Sequence, residues 1–418
     1  MAAIRIYQII RDLIKDPQSL INYIESYLLS VIGIPYIERE INNDVTRLIV
    51  SNEHGNAELS INHEIRIKGH DKVKVLLNAL VLRYLGTNGA RKITVLLLRR
   101  GNRVYRVNDL PRMRSLPVGL IGLVILLIMI ISIVITILRI MNVILSMHII
   151  ILMLLSPLII PIIYSYILQL KIRWGGNLRN SEIIKITLEY GGEFDEQRFN
   201  EALRFLSRIE NIKSLTEIRR FIMTLVNNPG TKPQAYNEEV ISISSILDKL
   251  GVKKYGIYLI NMDQCNAASI GLPGINYVIL TSRLVSCLNS DELTAVIMHE
   301  VGHIVHGDSA KALFLISLSQ LVNIALITYI IPLMSLPAIP ILIGALFMEL
   351  FMILLTMRFS EYSADKYAMK FIPGKDLAMA LIKVTWKELH QELASKRSRV
   401  LSSHPSVSGR LIRIASIK

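Results

Sequence analysis

Ser290–Asp308, SDELTAVIMHEVGHIVHGD, is the stretch whose reading decides the fold. Asn289 and Glu292 have the spacing of a capping box, and Leu293, Val296, Ile297, Val301 and Ile304 recur at helical spacing, so the segment reads as one amphipathic helix. On that helix stands His299-Glu300-Val301-Gly302-His303. Two histidines four residues apart project from one face about a turn apart, so both imidazoles can reach one tetrahedral zinc. The glutamate between them is then placed to take a proton from water at the metal, as a general base.

A catalytic zinc needs a third protein ligand and an open position. The stretch Arg358–Asp365, RFSEYSAD, supplies Glu361 as that ligand, giving one Zn2+ per chain on His299, His303 and Glu361. Asp365, one helical turn further on, is placed to accept a hydrogen bond from the far nitrogen of a ligating histidine. His306 lies near the same face as His303, but a fourth ligand would close the site to water, so it reads as structural.

Working outward, 52% of the 418 residues are apolar and the mean hydropathy is +0.44, too high for an ordinary soluble protein. Four runs are long enough to span a bilayer, which requires about 20 apolar residues. They pair into two hairpins, 116–169 (Leu116 to Leu138, then Val143 to Gln169) and 312–357 (Ala312 to Pro332, then Leu336 to Met357). Arg99, Arg100, Arg103, Arg106, Arg112 and Arg114 precede the first pair, Lys171, Arg173 and Arg179 follow it, and Lys311 and Arg358 flank the second. Basic residues mark the cytoplasmic ends of spans, so both termini and the HExxH segment are expected in the cytoplasm of a multi-pass protein of the cell membrane. The second hairpin crosses twice, which returns the chain carrying Glu361 to the face it left at His303. Glu349 falls mid-span and is expected to face the bundle or a hydrated cavity.

This leaves three water-facing regions: residues 1–110, 171–310 and 358–418. The first has an amphipathic start (Ile6, Ile9, Ile10, Leu13, Ile14) ended at Asp16-Pro17, and alternating Leu59, Ile61, Ile65 and Ile67. It continues with a helix near Val73 to Leu85 ended by Gly86, and a hairpin of Ile93 to Leu98 with Val104 to Val107 around Gly101-Asn102. The first twenty residues carry charges every few positions and do not read as a signal peptide. The expected fold is thus a mainly α multi-pass membrane protein with a zincin-type α+β catalytic domain (171–310 and 358–418) and a small N-terminal α+β domain. The net charge of +14 sits beside the apolar runs rather than in a basic domain with stacking aromatics, which argues for lipid headgroups and against nucleic acid as a partner. Cys265 and Cys287 are too few for a disulfide framework and not spaced as a redox pair.

HExxH, a hydrophobic hairpin and then ExxxAD resemble the HtpX and CAAX prenyl protease family of integral membrane zinc metallopeptidases, gluzincins with glutamate as third ligand. Over about 235 to 418, Asn266-Ala267-Ala268-Ser269-Ile270-Gly271 resembles that family's NAFAxG edge strand, which implies that Asn266, Ala267, Ala268 and Gly271 line a substrate backbone. Ala268 stands where the family usually has phenylalanine. Ser403-His404-Pro405 with Arg410 resembles the family's THP element and its following arginine, which implies that His404 and Arg410 steady the substrate or the oxyanion. The resemblance implies a membrane endopeptidase of broad specificity acting on membrane or misfolded proteins. Processing of lipidated CAAX proteins is the alternative enzyme, and a membrane scaffold with a structural zinc is the non-enzymatic one.

Overall fold

Leu59, Ile61, Ile65 and Ile67 alternate as a half-buried sheet requires, and all four are buried in the computed structural model. That structure describes residues 17–28, 36–107 apart from 43–44, 53–54, 63–64, 88–91 and 102, 177–189 apart from 180, 235–326 apart from 250 and 252–254, 338–394 and 405–417, with isolated positions elsewhere. Of the amphipathic start, Ile10 and Ile14 are buried, while Ile6, Ile9 and Leu13 lie outside the described residues. Helix α1 (Pro17–Tyr27) leads into an antiparallel meander of β1 (Tyr36–Asn42), β2 (Val45–Asn52), β3 (Gly55–Ile61) and β4 (Ile65–Gly69). Helix α2 (Asp71–Thr87) follows and runs one residue past Gly86.

The expected hairpin is β5 (Lys92–Arg100) with β6 (Arg103–Arg106), closed through Gly101 at φ +58°, a left-handed turn position that suits glycine. The other edge of β5 pairs with β7 (Glu182–Glu189), which pairs with β8 (Ala235–Ser242), in the order β6-β5-β7-β8. Strands from the N-terminal and central regions therefore share one sheet. This β5 to β7 pairing joins segments some eighty residues apart, and neither segment's pattern names its partner.

After α3 (Ile243–Lys249), a second sheet holds β9 (Gly256–Ile260), β10 (Ala267–Leu272) and β11 (Ile275–Thr281) in the order β10-β11-β9, leaving β10 at an edge. Both faces of this sheet are covered. Ile257, Leu259, Val278 and Leu280 join the main core, whereas Tyr258, Ile260, Tyr277, Ile279 and Ala268 form a second cluster on the opposite side.

Helix α4 (Ser282–Cys287) precedes α5 (Ser290–Val305), which begins with the expected capping box. The Asn289 side chain accepts from the Glu292 amide at 2.8 Å, and Glu292 Oε2 accepts from the Asn289 amide at 2.9 Å. Helices α6 (Asp308–Ala325), α7 (Ala338–Ala368), α8 (Gly374–Ala394) and α9 (Val407–Ser416) complete a mixed α/β architecture. Helix α8 packs on α2, where His390 Nε2 donates to the Val75 carbonyl at 3.2 Å.

Among the described residues one helical segment, Ile343–Ala368 in α7, is long and apolar enough to cross a membrane, and only 12% of its most apolar window is buried. The run 116–138 lies outside the described residues, as does all of 143–169 except scattered positions. The two cysteines are free, and they lie near enough for each to shift the other's pKa in opposite directions. The Cys265 side chain draws the Cys287 pKa down to about 6 against the opposing effect of burial. Their separation in sequence gives no sign of this proximity.

Glu292 also binds Lys383 of α8 at 2.8 Å, and both side chains are 4% exposed. Removing one partner of a buried ion pair strands the other charge. Lys383→Met should therefore lower unfolding free energy by about 3 kcal/mol, read by chemical denaturation in detergent, whereas a loss near zero would show the pair to be solvated.

Candidate metal centre

His299 and His303 stand one turn apart on α5 with their Nε2 atoms 3.2 Å from each other and their rings nearly perpendicular at 87°. What brings a third group to them is the crossing of α5 and α7. Gly302 faces α7 so closely that a Cβ there would lie 3.0 Å from Ala364 Cα and 3.2 Å from Tyr367 Cβ. A turn before Ala364, Glu361 extends Oε2 to 3.4 Å from His299 Nε2. Ligand atoms of His299, His303 and Glu361 all lie within 4.8 Å of one another, and they form the group that could hold a metal among the described residues.

Each imidazole has a carboxylate behind it. His299 Nδ1 lies 3.0 Å from Asp365 Oδ1, and His303 Nδ1 lies 2.8 Å from Asp308 Oδ2. Asp308 did not figure among the expected site residues. It opens α6 immediately after Gly307, whose φ of +64° turns the chain at the end of α5 and folds Asp308 back onto the histidine. Burial alone would lower the His299 pKa, but its contacts with Asp365 and Glu361 outweigh burial and raise it to about 10. Burial likewise opposes ionisation of Asp365, yet His299 and Arg410 hold its pKa below the ordinary carboxylate value.

Arg410 reaches this cluster from α9. Its Nε and Nη2 donate to the two Asp365 oxygens at 2.8 and 2.7 Å, and Nη1 lies 2.9 Å from Glu361 Oε2. The guanidinium is thus spent on the two α7 carboxylates rather than left open.

Glu300 points from α5 toward the edge strand, where Ser269 Oγ donates to its Oε2 at 2.7 Å. Strand and helix meet closely because residue 271 is glycine: a Cβ there would sit 2.9 Å from Ile304 Cα. Asn266 pins the start of β10. Its amide donates to Thr281 Oγ1 at 3.1 Å, its carbonyl accepts from the same hydroxyl at 2.9 Å, and its side-chain oxygen accepts from the Ala267 amide at 2.9 Å.

With this geometry in place, the comparison with known proteins is specific: residues 233–418 match the family model of peptidase family M48. The matched residues hold His299, Glu300, His303 and Glu361, and this part of the chain is similar to peptidase family M48. CAAX prenyl protease 1 of Saccharomyces cerevisiae is 29% identical over 241 residues, covering 49% of this chain and 52% of the relative. The Protease HtpX homolog of Halobacterium salinarum is 29% identical over 152 residues, covering 34% of this chain and 52% of the relative. The crystal structure of S. mikatae Ste24p is 26% identical with a TM-score of 0.32, covering 41% of this chain and 48% of that one. The chain spans about half the length of the curated relatives it matches.

The structure brings together His299, Glu300, His303, Glu361, Asp365 and Arg410, with Gly271 and Ser269 alongside. Ala268 faces away from the site, buried in the cluster of Tyr258 and Tyr277. His306 caps the end of α5 and meets Tyr367 edge-on, outside the three-ligand group. Glu349 is half-buried on α7, and His404 lies outside the described residues.

Carboxylates behind ligating histidines typically change metal affinity 10- to 100-fold. If this group holds a metal ion, Asp308→Ala should weaken its affinity by about tenfold or more, as measured for zinc by competition with a chromophoric chelator. An unchanged affinity would mean that the Asp308 contact to His303 is incidental.

Proposed function

We propose that the chain is a zinc-dependent endopeptidase with His299, His303 and Glu361 as the metal ligands and Glu300 as the general base. The observation that carries this reading is the facing pair of Nε2 atoms. His303 Nδ1 bonds to Asp308 and His299 Nδ1 lies 3.0 Å from Asp365, so the two Nε2 atoms and Glu361 Oε2 face one space, an arrangement that suits a shared proton or a cation. Charge points the same way. Glu300, Glu361, Asp365 and Asp308 outnumber the fixed cations Arg410 and Lys311, and a metal ion would replace the proton that these carboxylates hold on His299. Two imidazole nitrogens and one carboxylate oxygen form a donor set that suits zinc and leaves a position open.

When bound, zinc supplies Lewis acidity, which acidifies water and polarises the peptide carbonyl. The remaining work falls to the chain. Glu300, with Oε2 held by Ser269, takes the proton from the attacking water on its other oxygen and returns it to the leaving amine. An extended peptide adds to the outer edge of β10 through main-chain hydrogen bonds beside Asn266, Ala267 and Gly271, displacing the side-chain oxygens of Asn266 and Ser309 that now cap the Ala267 and Gly271 amides. Affinity then depends little on peptide side chains. Arg410 acts as a positioning residue that fixes Glu361 and Asp365. For His404 as a donor to the carbonyl oxygen, the support is its resemblance to the THP element and the burial of Pro405, which follows it.

We place the enzyme in the cell membrane, with hairpins 116–169 and 312–357 in the bilayer and with regions 1–110, 171–310 and 358–418, the site included, in the cytoplasm. Ile343, Phe347, Met348, Phe351 and Met352 of α7 and Phe314, Leu318, Leu321 and Val322 of α6 are exposed, a continuous apolar surface that lipid would cover. Membrane and misfolded proteins are the proposed substrates. The match to CAAX prenyl protease 1 supports a second reading, cleavage of lipidated peptides, which a prenylated peptide cut faster than its unmodified counterpart would favour.

Glu300→Gln should retain about one zinc per chain and lower casein cleavage by at least about a hundredfold. Retained cleavage would remove Glu300 as the base, and a wild type without zinc or cleavage would remove the peptidase reading in favour of a scaffold. Alkaline carbonate extraction should leave the protein in the membrane pellet, and its release would count against the two hairpins.

A further inference from the structure

Ser269 is a polar side chain on a strand otherwise built from Ala267, Ala268, Ile270, Gly271 and Leu272. Its hydroxyl donates to Glu300 Oε2 at 2.7 Å, the ordinary length of a well-made O–H···O bond. Two constraints hold the partners in place. Gly271 lets β10 lie against the backbone of α5 at Ile304, and the register Ser269↔Val278 fixes which β10 side chain faces the helix at the level of Glu300. A one-residue slip would turn Ser269 to the opposite face and put Ala268 or Ile270 in its place.

From this we infer that Ser269 is the positioning residue for the general base, tying the orientation of the Glu300 carboxylate to the strand that receives the peptide. The inference rests on the zinc-peptidase reading above and deepens it. A glutamate side chain has three rotatable torsions, and a carboxylate free to turn presents its lone pairs to the water only part of the time. With Oε2 held, Oε1 is the oxygen presented to the site. Because the hydroxyl belongs to β10, a peptide that pairs with β10 orders the strand and the base together. Substrate docking and base alignment become one event.

The test compares Ser269→Thr with Ser269→Val, two side chains of the same shape that differ in the hydroxyl. The threonine variant keeps the donor, and the valine variant loses it. Expected is a kcat about tenfold lower for valine than for threonine, with KM within about twofold and zinc content equal, since the peptide pairs through the backbone. A second readout needs no turnover. In metal-free protein the valine variant should melt a few degrees below the threonine variant, because it leaves a largely buried carboxylate without its donor, and the gap should close when Glu300 is also replaced by alanine. Equal kcat in the two variants, a difference confined to KM, or a melting gap that survives Glu300→Ala overturns the inference while leaving the peptidase reading intact. A wild type that binds no zinc and cleaves nothing overturns both.

Discussion

The close crossing of α5 and α7 at Gly302 is the constraint on which the site depends. Helices whose contact residues carry ordinary side chains lie 8–10 Å apart. At the distance where a Cβ on residue 302 would meet Ala364 Cα at 3.0 Å, that spacing is at its short end. The reach of a glutamate is fixed by its two methylenes, so a modest outward shift of α7 would withdraw Glu361 from His299 and carry Asp365 away with it. Gly271 does the same on the other side of α5, bringing β10 in so that Ser269 reaches Glu300. Absent side chains thus set two distances on opposite flanks of a single helix.

Four carboxylates gathered this closely would repel one another strongly in a low-dielectric interior. Arg410 relieves much of that, binding Asp365 through two nitrogens and Glu361 through a third, a fork geometry that lysine could not reproduce. The same bonds fix the torsions of both carboxylates. Electrostatic compensation and ligand alignment are therefore one interaction here. The same carboxylates raise the His299 pKa, so the space beside its Nε2 atom favours a proton or a cation.

Local patterns reveal much of this arrangement in the sequence. The capping box at Asn289, the meander around Leu59 to Ile67 and the hairpin at Gly101 are each set by neighbours within a few residues, so periodicity and turn chemistry suffice to locate them. His299, Glu300 and His303 are legible for the same reason. Glu361 and Asp365 are legible through their spacing and resemblance, yet their helix is not: the apolar run and the ligand stretch form one uninterrupted helix, Ala338–Ala368, where the sequence suggests a span and then a separate segment. Asp308 escapes notice because an acid after a glycine at a helix start reads as an ordinary cap, and only the turn at Gly307 aims it at His303. Ser269 sits inside a stretch singled out for its backbone, and its hydroxyl matters only once the register with β11 decides which way it points.

The continuity of α7 also couples two environments mechanically. At about 1.5 Å per residue, Phe347 in the exposed apolar sleeve lies roughly 20 Å along the same rod from Glu361. A second tie runs through the sheet, where the Tyr277 hydroxyl of β11 donates to the Ser165 carbonyl at 3.1 Å, within the second apolar run. The metal ligand on α7 and the peptide-receiving sheet are thus each attached to an apolar segment, by covalent helix in one case and by a buried hydrogen bond in the other. With those segments in the bilayer, as proposed above, a tilt imposed by bilayer thickness would act on the separation between Glu361 and β10. On the membrane placement and site roles proposed above, the bilayer becomes part of the geometry that holds Glu300, Glu361 and β10 in register.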